Sequence, residues 1–489
     1  MIGSGWGPAL PMEGSLPPDL QGTLFRVGPA TVPGGRGGVG DGGGGAGGGD
    51  GRADGHGVAA EGKVRQPGGA LHAVELRDGK AVTFLSRESD ADAGVFWHAG
   101  SVLALPETGL PSQYSRLLEP EGFSGGLTVP IASHVHRVAA DGSRVLFAVD
   151  DGVDRRRDGA GGAGNGASAD AAVGLDESDG IWLRLGEWEA GGGLRSAQSV
   201  ALERATWQHD IAVTTDHVVF IESPTARLPD ASGSAVPFGW VPGAEGWVGV
   251  VRRGGDGSGV RWIRLDPCLV THVLGAREIG RGGEDGIIEL YVCRYEAPET
   301  GQPVDLSASV VGPEGIGLTA IGGSLGLLER WRIEGDRLER VQVDERHVEY
   351  PRMDALCEGS AFRYGYCVEM SWGDGPVNAG PRRGPGRWET PASPEGLLKF
   401  DLDRSEVAAW NPGPWRRASE PIFVRADDGR SDDEGWLLTV VDDANTGTSH
   451  LYVLDASTMG RGRAEAIIHL PERLPLRSHG EWVPAARYR

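Results

Sequence analysis

Cysteine is scarce in this chain. Four thiols, Cys268, Cys293, Cys357 and Cys367, are spread over 489 residues. They form no C-x-x-C pair and no dense spacing that would read as a disulfide framework. A thiol-bearing intracellular protein, cytoplasmic or plastid, is the simplest reading. Basic side chains are also short in number, 47 against 69 acidic ones, for a formal net charge of −22. A surface of that sign repels phosphate, which argues against nucleic acid or an anionic membrane surface as the main partner. Long hydrophobic runs are missing; the longest are strand-sized, so no transmembrane segment is expected. The opening Met1-Ile-Gly-Ser-Gly-Trp6 has neither a charged region nor an apolar h-region, and it is not Arg- and Ser-rich. No secretory or transit signal is therefore expected. Convincing helical faces are absent as well.

Glycine is abundant, 81 residues in all, and it is concentrated. Gly34 to Gly51 is mostly glycine and cannot bury surface, and Asp151 to Gly180 is a second polar, Gly/Ala/Asp-rich stretch. Both read as disordered inserts, at about 31–69 and 151–180, in a single domain spanning 1–489. The rest is written in short strands. Ala70–Leu76 and Ala81–Arg87 flank the turn Arg77-Asp-Gly-Lys80, an Asp-Gly hairpin signal. His136 to Val149 carries a second Asp-Gly turn. Leu328–Ile333 pairs with Leu338–Val343, Gly396–Leu402 with Glu406–Trp410, and Gly435–Val441 with His450–Leu454. More than a dozen such strands predict an all-β fold, either a sandwich array or a propeller. No strict repeat marks the blades, so their number cannot be read from periodicity.

The stretch Trp207 to Pro224 shows what the histidines contribute. Ile211, Val213, Val218 and Phe220 alternate about a turn at Thr215-Asp216, a hairpin with His209 just ahead of it. Alone, such a histidine is more often a satisfied strand-end residue than a ligand. Three others share the setting: His134 ahead of the second Asp-Gly hairpin, His272 within Cys268–Leu274, and His479 near the C-terminus. They lie 75, 63 and 207 residues apart, too far for a local metal motif. A propeller would bring its inner strands, and such histidines, to one axis.

Read as an ordered set, the blocks around these residues resemble the carotenoid cleavage oxygenases. The blocks are Leu16–Pro29, Leu103–Pro111, Gln208–Thr214, His272–Glu278, Glu349–Asp354, Ser419–Val424 and His479–Trp482. The resemblance runs end to end, interrupted by the two inserts. It implies a seven-bladed β-propeller with loops capping one face and Fe(2+) on the axis. Matched block by block, the metal ligands are His134, His209, His272 and His479, and Glu107, Glu349 and Glu420 stand where three carboxylates orient them. With three glutamates for four ligands, one histidine must rely on backbone or solvent. Neutral imidazoles suit Fe(II), and a carboxylate on the other ring nitrogen fixes the tautomer.

The departures are informative. Ser133-His-Val-His-Arg137 stands where the family has Ala-His-Pro-Lys, which makes His136 a rival to His134; register to the Asp141-Gly142 turn favours His134. Gly275-Ala-Arg277 replaces Asn-Ala-Tyr, and Gln66-Pro-Gly68 lacks the family's Asp-Gly pair. Both changes bear on the substrate more than on iron.

The implied activity is oxidative cleavage by O2 of a conjugated C=C bond in a carotenoid, apocarotenoid or stilbene, with no side-chain nucleophile or base. A redox-neutral retinoid-type isomerase and a non-enzymatic scaffold with a decayed site are the alternatives. Peripheral membrane contact fits an apolar polyene substrate. His56, His72, His98, His217, His347, His450 and His469 read as surface or hydrogen-bonded residues, and Phe238-Gly-Trp240 as core or as the lining of an apolar entrance.

Overall fold

The computed structural model of the protein describes residues 9–29, 68–121, 131–138, 141–151, 180–228, 236–280, 286–298, 304–306, 311–312, 315–316, 324–371, 395–476 and 478–488. Most of both expected inserts, and His56, lie outside the described residues. Within them the chain is built of strands, with one short 3-10 turn at Ala485–Tyr488. Every pairing between the larger strands is antiparallel and mostly between neighbours in sequence. That is the architecture the alternating pattern predicts.

The Asp-Gly turn closes as its sequence demands. Gly69–Arg77 pairs with Lys80–Ser89, and Asp78 and Gly79 both take positive φ, 51° and 70°. A two-residue loop of that kind matches the twist of the flanking strands, and Asp and Gly tolerate it. Trp207 to Pro224 likewise forms Ile211–Val213 against His217–Glu222, extended by Gly246–Arg252 and Arg261–Leu265.

Two pairings go beyond local grammar. Gly22–Pro29 lies between Gly69–Arg77 and the C-terminal strand His479–Pro484, so the two ends of the chain share one sheet. The strand expected at Leu338–Val343 runs on to Arg352. Its first part pairs with Leu327–Glu334 and its last part with Tyr364–Glu369, joining what local pattern reads as two hairpins.

The sheets pack face to face in chain order. Phe25, Val27 and Leu71 meet Val95 and Val102 of the next sheet, whose Phe96, Leu103 and Leu105 meet Leu146 and Trp188. Val145, Phe147 and Leu183 then face Ile211, Val213 and Phe220. Ala212, Val219 and Val248 pack on Val273, Leu290 and Trp331. Leu274, Tyr291 and Leu328 reach Cys367, Leu398 and Phe400. Tyr366, Val368 and Leu397 meet Leu437 and Tyr452, and Leu438, Val440 and Leu451 return to Leu24, Val74 and Leu76. Each inter-sheet layer is a dry core of aliphatic and aromatic side chains, so burial between successive sheets supplies the main stabilisation.

Candidate metal centre

The four histidines come from four sheets, each at or near the strand that begins its sheet. His134 precedes His136–Arg137, His209 precedes Ile211–Val213, His272 lies in Cys268–Ile279, and His479 opens His479–Pro484. Their rings converge. The centroid of His134 is 4.7 Å from His209, 4.9 Å from His272 and 4.7 Å from His479. His209 and His272 are 4.8 Å apart, and His272 and His479 5.1 Å.

Three carboxylates stand behind this cluster. Nδ1 of His209 is 2.7 Å from Oε1 of Glu107, Nδ1 of His272 is 2.5 Å from Oε2 of Glu349, and Nδ1 of His479 is 2.8 Å from Oε1 of Glu420. An ionised carboxylate only accepts, so each Nδ1 carries a proton and each Nε2 is the nitrogen left for a metal. Among the described residues no carboxylate hydrogen-bonds His134.

Each carboxylate is held by further donors. Trp207 Nε1 donates to Glu107 at 2.9 Å. Thr271 Oγ1 and Tyr295 OH donate to Oε1 of Glu349 at 2.5 and 2.7 Å, and the backbone N–H of Tyr350 donates to its Oε2 at 2.9 Å. Glu420 receives Arg352 Nε at 2.7 Å and the Gly480 N–H at 2.7 Å. Burial opposes the charge on all three groups, but the donors outweigh it. The His209 contact holds Glu107 below the ordinary range. His272 brings Glu349 down to about 2, and Arg352 with His479 takes Glu420 lower still.

The imidazoles themselves fit a metal ion. Nε2 of His209 and Nε2 of His272 face each other at 3.2 Å. With both Nδ1 atoms committed to carboxylates, both Nε2 atoms are turned to the same space between the rings. Nε2 of His134 is buried without a hydrogen-bond partner, and ligand atoms of His134, His272 and His479 lie within 4.8 Å of one another. Burial and the three neighbouring imidazoles push His134 well below the ordinary histidine range, which keeps it neutral. Buried imidazole nitrogens turned to one point are costly in an apolar interior unless a cation satisfies them. A borderline divalent transition ion is the chemistry they suit.

His136, the rival ligand, is otherwise engaged. Its Nε2 lies 2.6 Å from Asp210 and its Nδ1 2.5 Å from Glu358, so neither nitrogen is free for a metal. Burial disfavours its charge, but the two carboxylates prevail and raise it to about 10. Several other histidines are hydrogen-bonded as expected: His217 to Glu278 at 3.1 Å, and His450 to His469 at 3.0 Å.

The surroundings differ in character. The Trp207 ring lies 5.0 Å from His209, and the Tyr350 ring 5.4 Å from both His272 and His479. Tyr350 holds a positive φ of 54°, a strained backbone that sets its ring against the imidazoles. Phe238 and Trp240 are buried in one cluster with Trp207, so they act as core behind that aromatic wall. A cavity of about 430 Å³ also reaches His134, His272 and His479. Its walls combine apolar Phe96, Leu274, Met353, Phe423 and Trp482 with the pairs Arg352–Glu420 and Arg144–Glu481. Asp210, Glu358, Arg352 and Tyr295 were not singled out from sequence. Asp210 and Arg352 lie inside the matched blocks Gln208–Thr214 and Glu349–Asp354, which was the available signal; Glu358 and Tyr295 left none.

A protein-family model described as Retinal pigment epithelial membrane protein matches residues 5–484. Isoeugenol monooxygenase of Pseudomonas nitroreducens is 26% identical over 407 residues, covering 81% of this chain and 75% of that protein. A carotenoid 9,10(9',10')-cleavage dioxygenase of Crocus sativus is 26% identical over 298 residues, covering 60% of this chain and 51% of that one. The crystal structure of Pseudomonas brassicacearum lignostilbene dioxygenase superposes with a TM-score of 0.70 over 98% of this chain and 95% of that one. At 20% identity that likeness is one of fold.

Proposed function

Because this chain belongs to the family of the retinal pigment epithelial membrane protein and the carotenoid cleavage oxygenases, we propose that it is a non-haem Fe(II) dioxygenase. It cleaves a conjugated C=C bond of a carotenoid, apocarotenoid or stilbene-type polyene, so that one alkene and one O2 give two carbonyl products. The observation that carries this reading is the convergence of imidazole nitrogens whose opposite faces are fixed by Glu107, Glu349 and Glu420. His134, His209, His272 and His479 would hold the iron. Fe(II), when bound, supplies the centre at which dioxygen is activated.

The protein's own part is to bind and orient. The three carboxylates fix the tautomers and raise the basicity of their imidazoles. Phe96, Leu274, Met353, Phe423 and Trp482, on the walls of the cavity that reaches His134, His272 and His479, offer an apolar surface on which a flat conjugated chain can lie. No helix among the described residues is long and apolar enough to cross a membrane. Peripheral contact would serve an apolar substrate, and Leu110 and Leu117, 45% and 52% exposed, are side chains that could make it.

The proposed architecture is a seven-bladed propeller. The sheet packing supports it: each core joins one sheet to the next, and the last returns to the sheet that holds both chain ends. Dividing the long strand Arg337–Arg352 at its change of partner, and setting aside the two-stranded sheets and the small sheet of Thr225–Arg227, Phe238–Trp240 and Val304–Asp305, leaves seven antiparallel sheets that would serve as the blades.

Iron quantification followed by product analysis against a panel of apocarotenoids and stilbenes tests the function. Purified protein should carry iron, consume oxygen and release aldehydes, and His209→Ala should lose the iron. Turnover without oxygen uptake would instead mark an isomerase, and iron content unchanged in His209→Ala would overturn the site.

A further inference from the structure

His136 lies two residues from His134 and is left unused by the proposed function. Both of its ring nitrogens contact carboxylates: Nε2 meets Oδ1 of Asp210 at 2.6 Å and Nδ1 meets Oε1 of Glu358 at 2.5 Å. A carboxylate only accepts, so a ring placed between two of them satisfies both contacts only when both nitrogens donate. The imidazole therefore bridges the two carboxylates, one on each ring nitrogen.

Its partners are placed with equal economy. Asp210 directly follows His209. Its Oδ1 also accepts the Ile211 N–H at 2.8 Å, and its Oδ2 accepts the Val273 N–H, directly after His272, at 2.7 Å. Glu358 accepts the Arg137 N–H at 2.8 Å through Oε2. One ion network thus ties together the backbone beside His134, beside His209 and beside His272, three histidines from three sheets. No pairing between those three sheets spans these positions.

We propose that His136 is a positioning residue: a ring hydrogen-bonded on both sides that, through Asp210, clamps the strands bearing His134, His209 and His272 at metal-binding separation. The proposal rests on the metal-site reading above. Without the clamp each sheet would still fold on its own core, but the three imidazoles would no longer be held to one point. Outer contacts of metal ligands typically change affinity by about 10–100-fold when removed, and a loss in that range is expected here.

The experiment uses the full chain loaded with Co2+, whose visible and EPR spectra report ligand geometry, together with a chelator competition that gives the dissociation constant. His136→Ala should weaken Co2+ binding by about 10–100-fold and shift the ligand-field bands. His136→Lys, which restores a donor between the two carboxylates, should recover both affinity and spectrum. Asp210→Asn should resemble His136→Ala, and the double variant should fall short of the sum of the two losses, as members of one network do. Wild-type affinity and spectrum in His136→Ala, or a lysine variant no better than the alanine variant, would overturn the clamp. If His136→Ala does not fold, the other two variants decide: lysine must bind as wild type does and Asp210→Asn must not. A wild-type protein that binds no Co2+ would overturn the metal site itself, a different result from failure of the clamp.

Discussion

The hydroxyl of Tyr295 donates to Oε1 of Glu349 at 2.7 Å, while Oε2 of the same carboxylate holds Nδ1 of His272 at 2.5 Å. Tyr295 is fully buried on the strand paired with that of His272, so the core beneath the site dictates how the carboxylate sits. Glu349 comes from another strand, Arg337–Arg352, and is itself 0% exposed. A rigid core on one side and an imidazole on the other leave the carboxylate one orientation.

Replacing Glu349 with glutamine should therefore cost more than one hydrogen bond. The amide cannot accept from Thr271, Tyr295, His272 and the Tyr350 N–H together, since half of its acceptor capacity becomes a donor. Metal affinity should fall by about 10–100-fold, measured as iron retained after dialysis against a chelator. Tyr295→Phe removes a single donor and should cost only about 1 kcal/mol of stability, with iron largely kept.

The same carboxylate predicts an acid limb in the stability of the metal-free protein. Glu349 has a folded pKa of about 2 against an ordinary 4.5. A depressed carboxylate contributes stability that is fully present above the unfolded value and is lost as pH falls through the folded one. Between pH 4.5 and about 2 the contribution, on the order of 3 kcal/mol, should disappear. Denaturant melts across that window should show the decline, and Glu349→Gln should make it shallower, with Glu107 and Glu420 supplying the rest.

Arg352 offers a contrast among the three carboxylates. Glu420 is the one of the three that pairs with a guanidinium as well as an imidazole. Arg352→Met would leave a buried anion with His479 and the Gly480 N–H alone. Arg352 is partly open to the cavity, so the cost should fall below that of a fully buried pair, roughly 1–3 kcal/mol. Thermal unfolding would measure it; an unchanged Tm would show that solvent replaces the guanidinium.

Stability and metal binding should separate elsewhere. Trp331 is 0% exposed in the core between two sheets, away from the histidines. Trp331→Ala should cost about 3–5 kcal/mol in denaturant melts, while folded protein retains its iron. Loss of iron from folded protein would mean that this core, too, sets the imidazole positions.

Much of the strand grammar was open to reading because its causes are local. Asp78-Gly79 can adopt two positive φ angles in succession, and Ile211 to Phe220 alternates about a polar turn; neighbours a few residues apart decide both. The pairing of Gly22–Pro29 with His479–Pro484 had no such signal. Nor did the extension of the strand at Leu338–Val343 to Arg352, since both ends of that strand are defined by partners it meets only after folding.

At the site, sequence resemblance named four histidines and three glutamates but not which carboxylate would meet which ring. That depends on where separate sheets bring residues tens to hundreds of positions apart. The same limit applied to His136, two residues from His134 and, by residue type, equally able to bind a metal. Local pattern was enough to specify an all-β chain rich in hairpins, and ordered blocks were enough to specify its family. Packing between sheets is what encloses His136 between Asp210 and Glu358 while leaving Nε2 of His134 facing the other imidazoles. The reason is physical: a histidine's role follows from what its two nitrogens meet, and those partners arrive from other strands.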